Sequence, residues 1–167
     1  MDAHTTTFSH RPATAADLAQ IVDFHQDPDE LFFCHPQAHW PLDVAQLQAS
    51  IAGGRDNTLV LLDGRAAGFA NFQHWQHGKH CTLGNLVVAH WTRGRGVAQY
   101  LFEVMAQHAR AHYQARLMSV SCLNTNSAAL RLSLKLGFQV SGLAERLDRQ
   151  QQRVVLIQLQ KQLRPSR

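Results

Sequence analysis

Weak alternation of apolar and polar residues over FSHRPA (residues 8–13) predicts a first strand. Helical spacing takes over in residues 17–25, where Leu18, Ile21, Val22 and His25 share one side and Thr14 is placed as the N-cap. The periodicity then stops. DPDELFFCHPQAHWP (residues 27–41), with three prolines and several aromatics, is expected to be an ordered loop. LDVAQLQASIAGG (residues 42–54) reads as a short helix stopped by Gly53 and Gly54. NTLVLL (57–62), AAGFANFQHW (66–75) and CTLGNLVVA (81–89) read as successive strands with turns at Asp63-Gly64 and His77-Gly78. Asp-Gly between apolar runs is a strong hairpin signal.

Residues 96–113 carry the longest helical pattern, with Val97, Leu101, Val104, Met105 and His108 on one side. RLMSVSCL (116–123) is a further strand, and NSAALRLSLKL (126–136) is a helix ending at Gly137. FQVSGLAERL (138–147) and RVVLIQLQ (153–160) are the closing strands. RVVLIQLQ is taken as an edge strand, free to pair with another chain. This order predicts an α/β (α+β) fold, a mixed, largely antiparallel twisted sheet flanked by about four helices. Without a linker, repeat or low-complexity tract, residues 1–167 read as one domain.

Composition narrows the class. Hydrophobic residues at 45% and charged residues at 17% suit a globular protein that buries a core. The polar start MDAHTTTFSH lacks the basic flank and apolar run of a signal peptide, and no apolar stretch nears the roughly 20 residues needed to span a bilayer. Cys34, Cys81 and Cys122 are too few and too scattered for a disulfide or zinc framework. These features predict a cytoplasmic protein with no membrane partner. The net charge of +4 hides an asymmetry: residues 1–63 carry two basic and nine acidic residues, and residues 64–167 fourteen basic and three acidic. That fits either two solvated faces or a cationic partner on the first part and an anionic one on the second. The basic residues are dispersed and no nucleic-acid motif is present, so no nucleic-acid partner is expected.

RGRGVAQYL (residues 93–101) gives the anion a place. Glycines at a helix start let a phosphate approach backbone N–H groups, and arginines add forked donors. The ATP-binding GxxxxGK[ST] loop is absent, and the dinucleotide fingerprint GxGxxG fails at Gln99. Arg93-Gly94-Arg95-Gly96-Val97-Ala98, between a strand and a long helix, instead resembles the R/Q-x-x-G-x-G/A motif of the GNAT superfamily of N-acetyltransferases. NTNSAALRLSLKLGF resembles that family's second signature, N-x-x-A-x-x-L-Y-x-x-x-G-F, with Asn126, Ala129, Gly137 and Phe138 in place.

The resemblance implies acetyl-CoA as acyl donor and a small-molecule or protein amine as acceptor, in a monomer or homodimer. It assigns the pantetheine arm to backbone groups of Leu86, Val87 and Val88, one of whose N–H groups would polarise the thioester carbonyl. It assigns the pyrophosphate to Arg93, Gly94, Arg95, Gly96, Val97, Ala98 and Gln99, and a further cofactor contact to Asn126. Where the family commonly has a tyrosine as thiol acid, this chain has Ser133, which also counts among the cofactor positions. Where the ribosomal-protein branch has a glutamate, it has Ser121. Ser133 is left as a possible proton relay, with Glu30, His80 and Glu103 as base candidates; Glu103 fits a solvated helix position better. Cys122 reads as a small buried hydrophobe.

Eleven histidines, among them His108 and His112 one turn apart and His74, His77 and His80 in a hairpin, lack a companion carboxylate or cysteine pattern, so no metal is expected. The acids Asp27, Asp29 and Glu30, with Phe32, Phe33 and Trp40, are either acceptor-pocket residues or solvated and core residues. The acidic N-terminal part favours a cationic acceptor. The missing tyrosine and glutamate also suit an alternative, a catalytically impaired acyl-CoA-binding sensor or scaffold.

Overall fold

Seven strands form one sheet in the order β1-β2-β3-β4-β5-β7-β6 in the computed structural model, which describes residues 5–165. The first four residues of the polar start lie outside that range. The strands are β1 (Phe8–Pro12), β2 (Arg55–Leu62), β3 (Arg65–Gln76), β4 (His80–Val88), β5 (Leu117–Leu123), β6 (Gln139–Leu147) and β7 (Arg153–Gln162). The helices are α1 (Leu18–Val22), α2 (Pro28–Cys34), α3 (Val44–Ile51), α4 (Val97–Tyr113) and α5 (Ser127–Lys135). Every neighbouring strand pair is antiparallel except β4 with β5.

Alternation along the strands sends side chains into two cores. Leu59, Phe69 and Val87 pack with Leu18, Ile21, Leu31 and Leu47 of the first three helices. Val60, Leu62 and Phe72 pack with Leu101, Phe102 and Met105 of α4 and with Phe138. Covered on both faces, β3 is buried continuously from Ala66 to Phe72, the pattern of a central strand. Helix α4 seats Val97, Leu101, Val104 and Met105 on the sheet at helical spacing. Leu101 is fully buried, so its truncation to alanine costs about 2–5 kcal/mol. Gly68 allows this close seat, because a Cβ there would stand 3.1 Å from a Val97 methyl.

The hairpin signals are met: Asp63 and Gly64 both have positive φ (50° and 79°), as a two-residue turn between β2 and β3 requires. Three expectations change. Residues 28–34 of the expected loop are a helix, α2. The Asp27 carboxylate caps it by accepting the Glu30 N–H (2.8 Å), and Pro28 occupies the first turn, where it needs no N–H donor. With α2 the sheet is flanked by five helices, in line with the about four expected. RVVLIQLQ is not an edge: β7 lies between β5 and β6, and β6 takes the edge position. The first helix starts with a 3-10 turn over Ala15–Asp17, where the Thr14 N–H (2.7 Å) and hydroxyl (3.1 Å) both donate to the Asp17 carboxylate. No helix among the described residues is long and apolar enough to cross a membrane.

Candidate active site

Strands β4 and β5 pair at only three positions, His80–Leu117, Cys81–Met118 and Thr82–Ser119, and then part. The cause is local to β4. Phe69 faces Val87 and Asn71 faces Gly84, so Asn85 and Leu86 together oppose Ala70, and Asn85 adopts φ 51°. An extra residue on one strand bends it and strengthens its twist. Asparagine tolerates the left-handed conformation that the bulge needs. The Ala89 N–H bonds the Ala67 carbonyl (2.8 Å), so alternation turns Val87 towards β3 and leaves the N–H and C=O of Leu86 and Val88 directed at the opened side. There the Cys34 thiol of α2 donates to the Leu86 carbonyl (3.1 Å).

The opening leads to the glycine-rich turn. Gly94 and Gly96 have φ 75° and 85°, and a Cβ at Gly94 would meet nothing within 4 Å, so the turn is open above. The Tyr100 N–H reaches the Gly96 carbonyl (3.0 Å). The N–H groups of Val97, Ala98 and Gln99 precede it in the first turn of α4, where a helix has no carbonyls to offer them. With the helix dipole behind them, they form an anion site. The arginines are not idle: Arg93 is paired with Glu30 of α2, and Arg95 stands 3.9 Å from Asp63.

Below the bulge lies a cleft of about 800 Å³, lined among others by Phe33, His35, Gln73, His74, Asn85 and Ser121. A polar chain runs along its wall. Gln73 Nε2 donates to the side-chain oxygens of Asn71 (2.9 Å) and Asn85, and Asn85 Nδ2 donates to the Cys34 carbonyl (3.1 Å) and meets His35 Nδ1 (3.1 Å). His35 Nδ1 also bonds the Ser50 hydroxyl (2.6 Å). Burial, and then the neighbouring His25, lower the His35 pKa to about 4, so the ring is neutral near pH 7. A cavity of similar size, about 830 Å³, sits at Arg110, Gln114 and Arg116, past the far end of α4.

The model of the Acetyltransferase (GNAT) family matches residues 18–138, which include the bulge, the opening and the glycine-rich turn. The chain belongs to the GNAT acetyltransferase family. Solved structures agree with the GNAT fold. The chain is similar to yncA from Salmonella typhimurium, a putative acetyltransferase solved with its cofactor acetyl-CoA (TM-score 0.71, 21% identity, 94% of each chain covered). It is also similar to a ribosomal-protein-alanine N-acetyltransferase from Brucella melitensis (TM-score 0.72, 20% identity, 93% of this chain and 99% of that one). A putative phosphinothricin N-acetyltransferase gives a TM-score of 0.72 at 18% identity, over 95% of this chain and 99% of that one. No curated protein matches the sequence.

Within this GNAT fold the expected residues fall into two groups. The opening of β4 brings Leu86 and Val88 to the same mouth as residues 93–99. Asn126 caps α5, its Oδ1 accepting the Ala129 N–H (3.4 Å), which leaves its amide nitrogen with no hydrogen bond among the described residues. Ser121 is exposed and lines the cleft. The other candidates are already engaged or lie away from the opening. Ser133 is 1% exposed, and its hydroxyl donates to the Ala129 carbonyl one turn back (2.8 Å). Glu30 is held by Arg93 and by the Gln26 N–H (2.8 Å). His80 starts β4 on the closed side of the opening, about 26 Å along the strand from Val88. Glu103 is exposed on α4, and Cys122 is buried, with its thiol pKa raised by that burial.

Of the acceptor residues, Phe33 lines the cleft, whereas Phe32 and Trp40 line a neighbouring hollow with Arg149. Asp29 is paired with Arg149 (2.9 Å), and Asp27 is spent on its helix cap. The chain from Asn71 to Ser50 was missed by sequence reasoning. Its one signal is Asn85, a polar residue inside the apolar run LGNLVV.

Proposed function

We propose that this chain transfers an acetyl group from acetyl-CoA to a primary amine. The observation that carries the reading is the parting of β4 from β5 at the Asn85–Leu86 bulge, directed at the open turn of Gly94 and Gly96. The pantetheine arm lies along the freed backbone of Leu86 and Val88, the pyrophosphate on Gly94 and on the N–H groups of Val97, Ala98 and Gln99, and the Asn126 amide contacts the cofactor further along. Acetyl-CoA in the yncA structure supports this choice of cofactor.

The amine nitrogen attacks the thioester carbon, and a backbone N–H of the opened strand holds the developing oxyanion. The C–S bond then breaks, the amine gives up a proton and the thiolate takes one. Ser133, Glu30 and His80 are engaged or remote, so the rate rests on positioning and on the oxyanion donor rather than on a side-chain acid. The acceptor enters by the cleft at His35, Asn85 and Ser121. With Asp27, Asp29 and Glu30 already partnered, the cationic acceptor keeps only the overall acidity of the N-terminal part in its favour.

The test is amine-dependent release of free CoA thiol across a panel of small amines and peptide N-termini. Release that disappears in Gly96→Glu supports the assignment. Binding of acetyl-CoA without turnover on any amine favours the sensor reading, and failure to bind acetyl-CoA overturns both.

A further inference from the structure

The carboxylate missing from the histidine pattern in sequence is present in space. Asp56 sits in the irregular stretch of β2 between Arg55 and Thr58, with φ 52°, and reaches the last turns of α4. One ligating atom each of Asp56, His108 and His112 lies within 4.8 Å of the others. The His108 and His112 rings stack with centroids 4.9 Å apart, as i and i+4 residues of one helix face. His112 Nδ1 is 2.7 Å from Asp56 Oδ1, and the Tyr113 hydroxyl donates to Asp56 Oδ2 (2.5 Å). His108 makes no hydrogen bond among the described residues, and its Nδ1 is buried.

We propose that Asp56, His108 and His112 form a zinc site that fastens α4 to β2. Two imidazoles and a carboxylate are a donor set for zinc rather than for calcium or magnesium, which prefer oxygen alone. In a tetrahedral site with bonds of about 2.0–2.1 Å the ligand atoms stand roughly 3.3 Å apart, so His108 must draw in while the His112–Asp56 pair, now at 2.7 Å, opens slightly. His112, with its side chain 49% exposed, has room to move. Water takes the fourth position. The Tyr113 hydroxyl bonds the second oxygen of Asp56 and so fixes the carboxylate's orientation. The carbonyl end of α4 adds partial negative charge, which favours a cation there. His10, whose ring lies 5.7 Å from that of His108, has its Nδ1 taken by the Tyr100 hydroxyl (2.9 Å) and is not among the ligands. The site is about 22 Å along α4 from the glycine-rich turn, so its role is to hold the helix rather than to join the acetyl transfer.

The experiment uses the full chain after chelator treatment, with zinc and then cobalt(II) as probes. At about a hundredfold excess over its dissociation constant, zinc raises Tm by roughly 5–10 °C. Cobalt gives the visible absorption of a four-coordinate ion at one equivalent. Both signals vanish in His112→Gln, which changes an exposed side chain and leaves the core intact, and both survive in a His74→Gln/His77→Gln control. Binding retained in His112→Gln, or a stoichiometry that follows the hairpin histidines, overturns the proposal, as does an unchanged Tm with no cobalt spectrum. The readouts need no acetyl-CoA, so they stand or fall independently of the acetyltransferase reading.

Discussion

Arg93 of the glycine-rich turn and Glu30 of α2, 63 residues apart in the chain, form an ion pair at the mouth of the β4–β5 opening. An exposed pair of this kind contributes at most about 1 kcal/mol to the fold. Its larger effect is on the ligand, because a guanidinium held by a carboxylate is less available to a phosphate. Glu30→Gln is therefore expected to tighten acetyl-CoA binding by roughly two- to fivefold, and Arg93→Ala to weaken it. Calorimetric titration at two salt concentrations measures both. The same variant tests Glu30 as a base, because loss of a catalytic base would lower turnover by about 10²-fold or more while leaving cofactor affinity alone.

Gly96 separates strain from blockage. Alanine at φ 85° costs roughly 1 kcal/mol, yet its Cβ would stand 3.7 Å from Phe8, an ordinary contact. Gly96→Ala should lose some stability and keep measurable acetyl-CoA binding. Gly96→Glu should lose binding outright. Equal affinity for the cofactor in Gly96→Glu and wild type would remove the turn from the site.

For Ser133, burial makes the expectation definite. Its hydroxyl already donates to the Ala129 carbonyl, so Ser133→Ala should keep turnover within roughly twofold of wild type, against the 10²-fold loss of a general acid. Steady-state rates at saturating acetyl-CoA decide between the two.

Stability should fall with acid in a window set by His35. The folded ring titrates near 4 because burial disfavours its charged form, whereas the unfolded ring titrates near 6.5. Between those values the unfolded chain binds the extra proton, so stability is full above about pH 6.5 and declines by up to about 3 kcal/mol towards pH 4. Urea midpoints from pH 7.5 to 4.5 should show this slope, flattened in His35→Gln. A slope identical in the variant would assign the effect elsewhere, His25 first, since burial lowers that ring's pKa too.

The sheet and the turn were legible because each rests on local chemistry. Asp63-Gly64 specifies its hairpin within two residues, and Gly94 and Gly96 announce a left-handed turn before a helix. Helix α2 was hidden because the prolines and aromatics of its segment drew attention away from Asp27-Pro28, a cap followed by a first-turn proline. The position of β7 was not legible, since which strand closes a sheet depends on partners that no run of eight residues encodes. The cleft network was equally out of reach: Gln73, Asn85, His35 and Ser50 come from four elements or loops, and only the bulge at Asn85 brings them to one wall. Asp56 joins His108 and His112 across 52 and 56 residues for the same reason.

Three ladder pairs between β4 and β5, with the Arg116 and Leu117 N–H groups on the Lys79 carbonyl just before them, stitch the sheet across its middle. Mechanically the molecule is two plates, β1–β4 with the first helices and β5–β7 with α5, sharing a short seam and braced by the core under α4. A ligand lying in the opening would touch both plates, and its binding would stiffen the seam. The amide protons of Leu86 and Val88 should then exchange with solvent readily in the free protein and slowly once the opening is filled, reporting occupancy without any chemistry having taken place.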